Sequence, residues 1–240
     1  MSIARHIPNS ITSLNLLSGT IAVIYGFKGE AEIAVYLIIA AALFDFMDGF
    51  MARLLKSYSP MGKELDSLAD LISFGLAPAI LLFHRFEIAH GAIILTFTPL
   101  AIVIASALRL AKFNIDTRQT ENFIGMPTPA NAILISMLIH FSSYNDTFNP
   151  FLDTKYFLPI LSIVLSVLLI CNIPMFSLKF KTLKWKGNEM RFSLIILAFA
   201  FTTISFILGV TWSLAILITF LMYIIINLIN YSLTLFRQKR

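Results

Sequence analysis

Residues 31–70 read AEIAVYLIIAAALFDFMDGFMARLLKSYSPMGKELDSLAD, a helix-length apolar run with aspartates set into and just after it. Asp45, Asp48, Gly49, Ala52 and Arg53 follow an i, i+3, i+4, i+7, i+8 pattern, so they share one stripe of one helix. Asp45 stands about ten residues before the end of that helix, hence about 15 Å inside its boundary at 1.5 Å per residue. A carboxylate within a membrane span costs about 2.5–3.5 kcal/mol on insertion scales and marks function by default. A second helix begins after the short link 56–62, and its Asp66 and Asp70 are four residues apart, again on one face. Two antiparallel helices joined by so tight a turn can point four carboxylates at one another.

Working outward, the composition places this pair of helices in lipid. Of 240 residues, 58% are hydrophobic and only 13% charged, which cannot supply a water-facing surface. The 22 phenylalanines and 7 tyrosines suit lipid-packed helices and interfacial belts. The expected fold is all-α, a polytopic membrane bundle of about eight transmembrane helices. The spans read Ile11–Phe27, Glu32–Leu55, Leu65–Phe83, Ala92–Leu110, Ala130–Tyr144, Phe157–Met175, Phe192–Gly209 and Trp212–Phe236. The fifth is short and the sixth carries Pro174, so seven helices is the alternative count. With a cytoplasmic N-terminus and eight alternating helices, all of the 18 lysines and arginines except Lys28, Arg85 and Lys155 fall on the cytoplasmic side. One missed span would invert every later loop, so this asymmetry supports the count and places both termini in the cytoplasm. The net charge of +5 does not imply nucleic acid, because the basic residues lie in short loops between apolar runs. The basic stretch Lys179–Arg191 is read as topological anchoring beside anionic headgroups. The N-terminal residues show no apolar region ending in a cleavage site, so no removable signal peptide is expected.

Four clustered carboxylates repel one another and cannot all stay ionised without cations. Only Arg53 and Lys63 are near in sequence, so a divalent metal is the expected partner. All-oxygen ligation, with no His or Cys in the cluster, favours Mg²⁺, Mn²⁺ or Ca²⁺ over zinc. Two metal ions on carboxylates suit phosphoryl chemistry, where they bridge phosphate oxygens and help ionise a hydroxyl nucleophile. Asp70, one turn deeper, is the natural proton acceptor, and its role as base or ligand stays open from sequence. Gly49 and Ala52 leave a hollow beside the acids. Alone they would read as small-residue helix packing, but beside two acids and an arginine they read as a binding cleft.

The whole pattern is Asp45-x2-Asp48-Gly49-x2-Ala52-Arg53-x8-Gly62-x3-Asp66-x3-Asp70. It resembles, with no departure at a fixed position, the signature of the CDP-alcohol phosphatidyltransferase family. The resemblance implies that Asp45, Asp48, Asp66 and Asp70 bind divalent metal, Mg²⁺ or Mn²⁺, with Asp70 also the catalytic base. It implies that Gly49, Ala52 and Arg53 receive the CDP part of the lipid donor. The opening Pro8-Asn9-x2-Thr12-x2-Asn15-x3-Gly19 looks like the first helix of these enzymes, which adds Asn9 and Thr12 to the nucleotide cleft, with Gly62. The stretches Ala107–Asn114 and Phe123–Ala130 resemble the phosphatidylserine synthase branch. By that likeness Arg109 and Lys112 are expected to hold the carboxylate of L-serine, a role a cationic side chain can fill. Anchoring of the helix end is the plainer account of both.

The resemblance covers about residues 8–135, read as the catalytic core of a single membrane domain spanning 1–240, with further helices over 136–240. It implies transfer of a phosphatidyl group from CDP-diacylglycerol to L-serine, two divalent ions, a homodimer, and a bacterial inner membrane with the site facing the cytoplasm. Glycerol 3-phosphate or inositol as acceptor is the nearest alternative. A cation or proton transporter is the rival from another class, and the fixed glycine, alanine and arginine between the acids argue against it. His6, His84, His90 and His140 form no constellation, and Cys171 is read as packing.

Overall fold

Pro8 and Pro60 each stand near the start of a helix, where a missing N–H costs nothing, and they open α1 (Ile7–Phe27) and α3 (Pro60–Asp70). Between them lies α2 (Ala31–Leu54), which packs along α1. Ser59 caps α3, its hydroxyl accepting from Gly62 N–H at 3.0 Å, so the link, which is 55–59 rather than the expected 56–62, turns sharply into the helix bearing Asp66 and Asp70. These are features of a computed structural model that describes residues 6–115, 123–176, 185 and 188–238.

Helix α3 does not stop at Asp70. It runs through one π-helical turn, Leu71–Leu76, into α4 (Ala77–His90), giving a continuous span of 31 residues. Pro78 cannot donate a backbone hydrogen bond, and the widened turn just before it absorbs the loss. That turn is also where neighbours come closest. A Cβ on Gly19 of α1 would lie 2.6 Å from the Ser73 Cα, so only glycine permits this approach.

A 3₁₀ turn, Ile94–Phe97, leads into α5 (Leu100–Ile115). Then come a two-residue strand β1 (Phe123–Ile124), α6 (Thr128–Ser143), the single turn α7 (Asn149–Leu152) and α8 (Phe157–Ile170). Strand β2 (Pro174–Met175) precedes α9 (Glu189–Ile207) and α10 (Trp212–Gln238). β1 and β2 pair antiparallel, with Phe123 opposite Met175 and Ile124 opposite Pro174.

The all-α expectation holds, with this strand pair as its one addition among the described residues. All eight expected spans are helical over most of their length. Two need correction. The sixth ends at Ile170 rather than Met175, because Pro174 and its neighbours leave the helix for the strand pair. The fourth begins with the 3₁₀ turn, and its α-helix starts only at Leu100, after Pro99. Five helices among the described residues are long and apolar enough to cross a membrane: 7–27, 31–54, 60–90, 94–115 and 212–234. Large apolar side chains such as Phe46, Phe199 and Phe206 stand exposed, as a lipid-facing surface requires.

Side-chain bonds distinguish the two ends of the bundle. At one end Lys63 Nζ donates to Asn114 O at 2.7 Å, joining the start of α3 to the end of α5. At the other, Arg85 grips Asp153 through two bonds of 2.9 and 2.7 Å, and Tyr144 donates to Glu32 at 2.7 Å. Of the basic residues used to orient the chain, Arg5, Arg118, Lys179, Lys181, Lys184, Lys186, Lys239 and Arg240 lie outside the described residues.

Candidate active site

Helices α1, α2 and α3 enclose a cleft of about 210 Å³ at the Lys63 end of the bundle. Its wall includes Asn9 and Thr12 from α1, Asp48, Gly49 and Ala52 from α2, and Gly62 and Asp66 from α3. The i, i+4 periodicity of α2 does this work, since Asp48 and Ala52 recur one turn apart on the face turned to α1 and α3. A Cβ on Gly49 would meet no protein atom within 4 Å, so this glycine faces open space rather than a packed neighbour. The reading of Gly49 as small-residue packing is therefore not the one the structure supports. Of the residues expected to line a nucleotide cleft, only Arg53 stands apart: it is exposed at the end of α2 and outside the lining.

Asp48 and Asp66 line the cleft, and Asp45 joins them in one cluster of acids. Each offers a carboxylate oxygen, and those oxygens all lie within 4.8 Å of one another. Three anionic oxygens at that separation suit one hard divalent cation or a pair of them, whose bonds to oxygen run from about 2.0 to 2.6 Å. Thr12 fixes the orientation of one ligand by donating its hydroxyl to Asp48 Oδ2 at 2.6 Å. The donor set thus fits a divalent metal.

Asp70 lies one turn deeper and outside that trio. Only 8% of it is exposed, and Asn15 donates to its Oδ1 at 3.2 Å. Ser73, from the π-helical turn, donates to Asn15 Oδ1 at 2.6 Å. The Asn15 amide thus stands with its oxygen towards Ser73 and its nitrogen towards Asp70. Ser73 was not singled out from the sequence, and Asn15 stood in the opening motif of α1 without a role of its own. The one available signal was the i, i+3 step from Thr12 to Asn15, which puts both on the α1 face that meets α2 and α3.

Arg109 and Lys112 lie elsewhere. They line a second cavity of about 260 Å³ with Ile124 and with Leu169 and Ile170 of α8. Arg109 is buried, and its Nη1 donates to Thr128 Oγ1 at the start of α6, at 2.8 Å. Its charge is close enough to Asp70 for the two to interact. Lys112 Nζ donates to Asn172 Oδ1 at 2.7 Å, beyond the end of α8. The acidic cleft and the basic cavity are thus separate spaces with no lining residue in common.

The family profile described as CDP-alcohol phosphatidyltransferase matches residues 5–168. A CDP-diacylglycerol–serine O-phosphatidyltransferase of Helicobacter pylori is 33% identical over 202 residues, covering 81% of each chain. The Bacillus subtilis protein of the same description is 35% identical over 154 residues, 62% of this chain and 80% of that one. An archaetidylserine synthase of Methanothermobacter thermautotrophicus is 34% identical over 169 residues, 70% of this chain and 68% of its own.

Proposed function

The chain belongs to the CDP-alcohol phosphatidyltransferase family, and from that premise we propose that it is a CDP-diacylglycerol–serine O-phosphatidyltransferase. It transfers the phosphatidyl group of CDP-diacylglycerol to the hydroxyl of L-serine, giving phosphatidylserine and CMP. The observation that carries this reading is the acidic trio at the cleft, with a basic cavity separate from it. The relatives named for a serine acceptor, on two different lipid donors, favour serine over glycerol 3-phosphate or inositol.

The residues divide the work as follows. Asn9, Thr12, Gly49, Ala52 and Gly62 form the wall against which the CDP group lies, with Arg53 reaching in from the end of α2. Asp45, Asp48 and Asp66 would hold the metal, two ions of Mg²⁺ or Mn²⁺, with Asp70, one turn deeper, as the fourth ligand. Metal held by these carboxylates would supply positive charge against the pyrophosphate and the departing CMP. Asp70 takes the proton of the serine hydroxyl as its oxygen forms a bond to the lipid-bearing phosphorus and the bond to CMP breaks. Asn15 keeps the Asp70 carboxylate aimed. Arg109 and Lys112 hold the serine carboxylate on the far side. The active site faces the cytoplasm of a bacterial inner membrane, in a single domain of about eight spans with both termini inside, and the chain works as a homodimer.

The test is CMP release by purified protein in liposomes, given CDP-diacylglycerol, Mn²⁺ or Mg²⁺, and serine, glycerol 3-phosphate or inositol in turn. Release with serine alone, abolished by EDTA and by Asp66→Asn, is the expected result. Release only with another alcohol would retain the chemistry and reject serine.

A further inference from the structure

Helix α10 lies beyond the residues that match the family profile, yet it reaches the basic cavity through a chain of bonds. Phe176 directly follows β2, in backbone that is neither helix nor strand. Its N–H donates to Asn227 Oδ1 at 2.9 Å, and its carbonyl accepts from the Tyr223 hydroxyl at 3.1 Å. Asn227 and Tyr223 are neighbouring turns of α10 and are almost wholly buried. The amide is locked in this sense because Asn227 Nδ2 is committed to Tyr223 O at 2.8 Å. The Tyr223 ring also packs edge-on against the Phe176 ring, with centroids 5.1 Å apart.

Irregular backbone inside a membrane protein persists only where protein groups satisfy it. Here two side chains of α10 satisfy both polar groups of one residue, and that residue anchors a strap. β2 pairs with β1, Gly125 N–H donates to Ile173 O at 2.9 Å, and Met126 N–H donates to Leu168 O at 2.8 Å. Gly125 has φ of 79° and lies so near α8 that a Cβ would come within 2.6 Å of Leu169 O. The strap contributes Ile124 to the basic cavity, the loop before it contributes Asn172 to Lys112, and the chain after it delivers Thr128 to Arg109. The Thr128 bond of Arg109 and the Asn172 bond of Lys112 are thus both made by residues that flank the strap in the chain.

We propose that Tyr223 and Asn227 are positioning residues for the acceptor: α10 clamps the β1–β2 strap at Phe176 and so sets the shape of the Arg109–Lys112 cavity. This deepens the proposed function and rests on its assignment of that cavity to the acceptor alcohol. Tyr223 and Asn227 line neither cavity, so their effect runs through the strap, with Tyr223 also close enough to Arg109 to interact with it.

The chain's single cysteine, Cys171, half-buried between Ile170 and Asn172, reports on the strap without any catalysis. The experiment measures two quantities in Tyr223→Phe, Asn227→Leu and a lipid-facing control, Leu221→Ala: the maleimide labelling rate of Cys171, and KM and kcat for each substrate. Tyr223→Phe keeps the ring and removes only the hydroxyl, so it folds even if Asn227→Leu does not. The expected result is labelling faster by threefold or more in both clamp variants. With it the serine KM rises by about fivefold or more, while kcat and the CDP-diacylglycerol KM stay within twofold and the control is unchanged. Unchanged labelling in Tyr223→Phe and Asn227→Leu would overturn the clamp. Faster labelling with an unchanged serine KM, or with donor and acceptor KM raised alike, would overturn its tie to the acceptor. If the parent protein releases CMP with a different alcohol, the serine assignment fails separately, and the same split is read with that alcohol.

Discussion

Asn15 Nδ2 donates to Asp70 Oδ1 at 3.2 Å, a bond between the first helix and the third that spans 55 residues of sequence. Ser73 holds the other end of the amide, so the group that orients the buried carboxylate is itself held in place. Partners that orient a functional carboxylate are worth about 10–100-fold in activity when removed. Asn15→Leu keeps the side-chain volume and removes both bonds. Its kcat for CMP release should fall by about that factor, with the CDP-diacylglycerol KM little changed. Asp70→Asn should fall much further, and equal activities in the two variants would deny Asp70 its role as base.

Two glycines make opposite predictions. Gly49 faces the cleft with no protein atom in reach of an added Cβ, whereas Gly19 is pressed against Ser73. Replacing a helical glycine by leucine favours the helix by about 0.5–1 kcal/mol, so Gly49→Leu should unfold no earlier than the parent on heating in detergent. Its side chain fills the donor's space, and the CDP-diacylglycerol KM should rise by tenfold or more. Gly19→Ala forces a clash that costs about 1–3 kcal/mol, so its thermal midpoint should drop by several degrees. Its donor KM, where the protein folds, should change little.

The spacing of acids in residues 45–70 was enough to place Asp48, Gly49, Ala52, Gly62 and Asp66 around one cleft. Helical periodicity is rigid, and a short link leaves few ways to set two helices together. The same arithmetic could not tell that Asp70 sits outside the trio, because that depends on the depth at which α1 crosses and on the Asn15 amide. It also missed the strand pair. Residues 123–126 and 173–176 have no pattern of their own, and their backbone is satisfied by α8 and α10, far along the chain. Arg53 was placed on the acid-bearing stripe correctly by period, but the last turn of α2 leaves its side chain in the open.

Removing the metal should be visible in stability as well as activity. Three carboxylate oxygens within 4.8 Å of one another are mutually repulsive without a cation. A ligand that binds only the folded state adds about 2.7 kcal/mol at a hundred times its dissociation constant. Millimolar Mn²⁺ should therefore raise the thermal midpoint of the parent protein, and EDTA should reverse the rise. Asp66→Asn relieves part of the repulsion and removes a ligand. Its midpoint without metal should be no lower than the parent's, and its gain from Mn²⁺ should be much smaller. A full gain in Asp66→Asn would show that the cation binds elsewhere.

The two cationic residues of the second cavity are not equal, and the difference can be measured. Arg109 is buried, and its guanidinium donates to Thr128 while facing the region of Asp70. Lys112 lies further out and is committed to Asn172. A planar guanidinium can present two parallel N–H groups to a carboxylate, and a lysine ammonium in its place keeps the charge but loses that fork. Arg109→Lys should therefore lower kcat/KM for serine by about 10–100-fold, almost all of it in KM, with the donor KM within twofold. Lys112→Ala should cost less than tenfold, because its charge is more exposed and its bond lies at the mouth. Steady-state CMP release at fixed saturating donor and varied serine decides the ranking. A larger loss in Lys112→Ala than in Arg109→Lys would move the acceptor's carboxylate to the outer end of the cavity and leave Arg109 as a brace between α5 and α6.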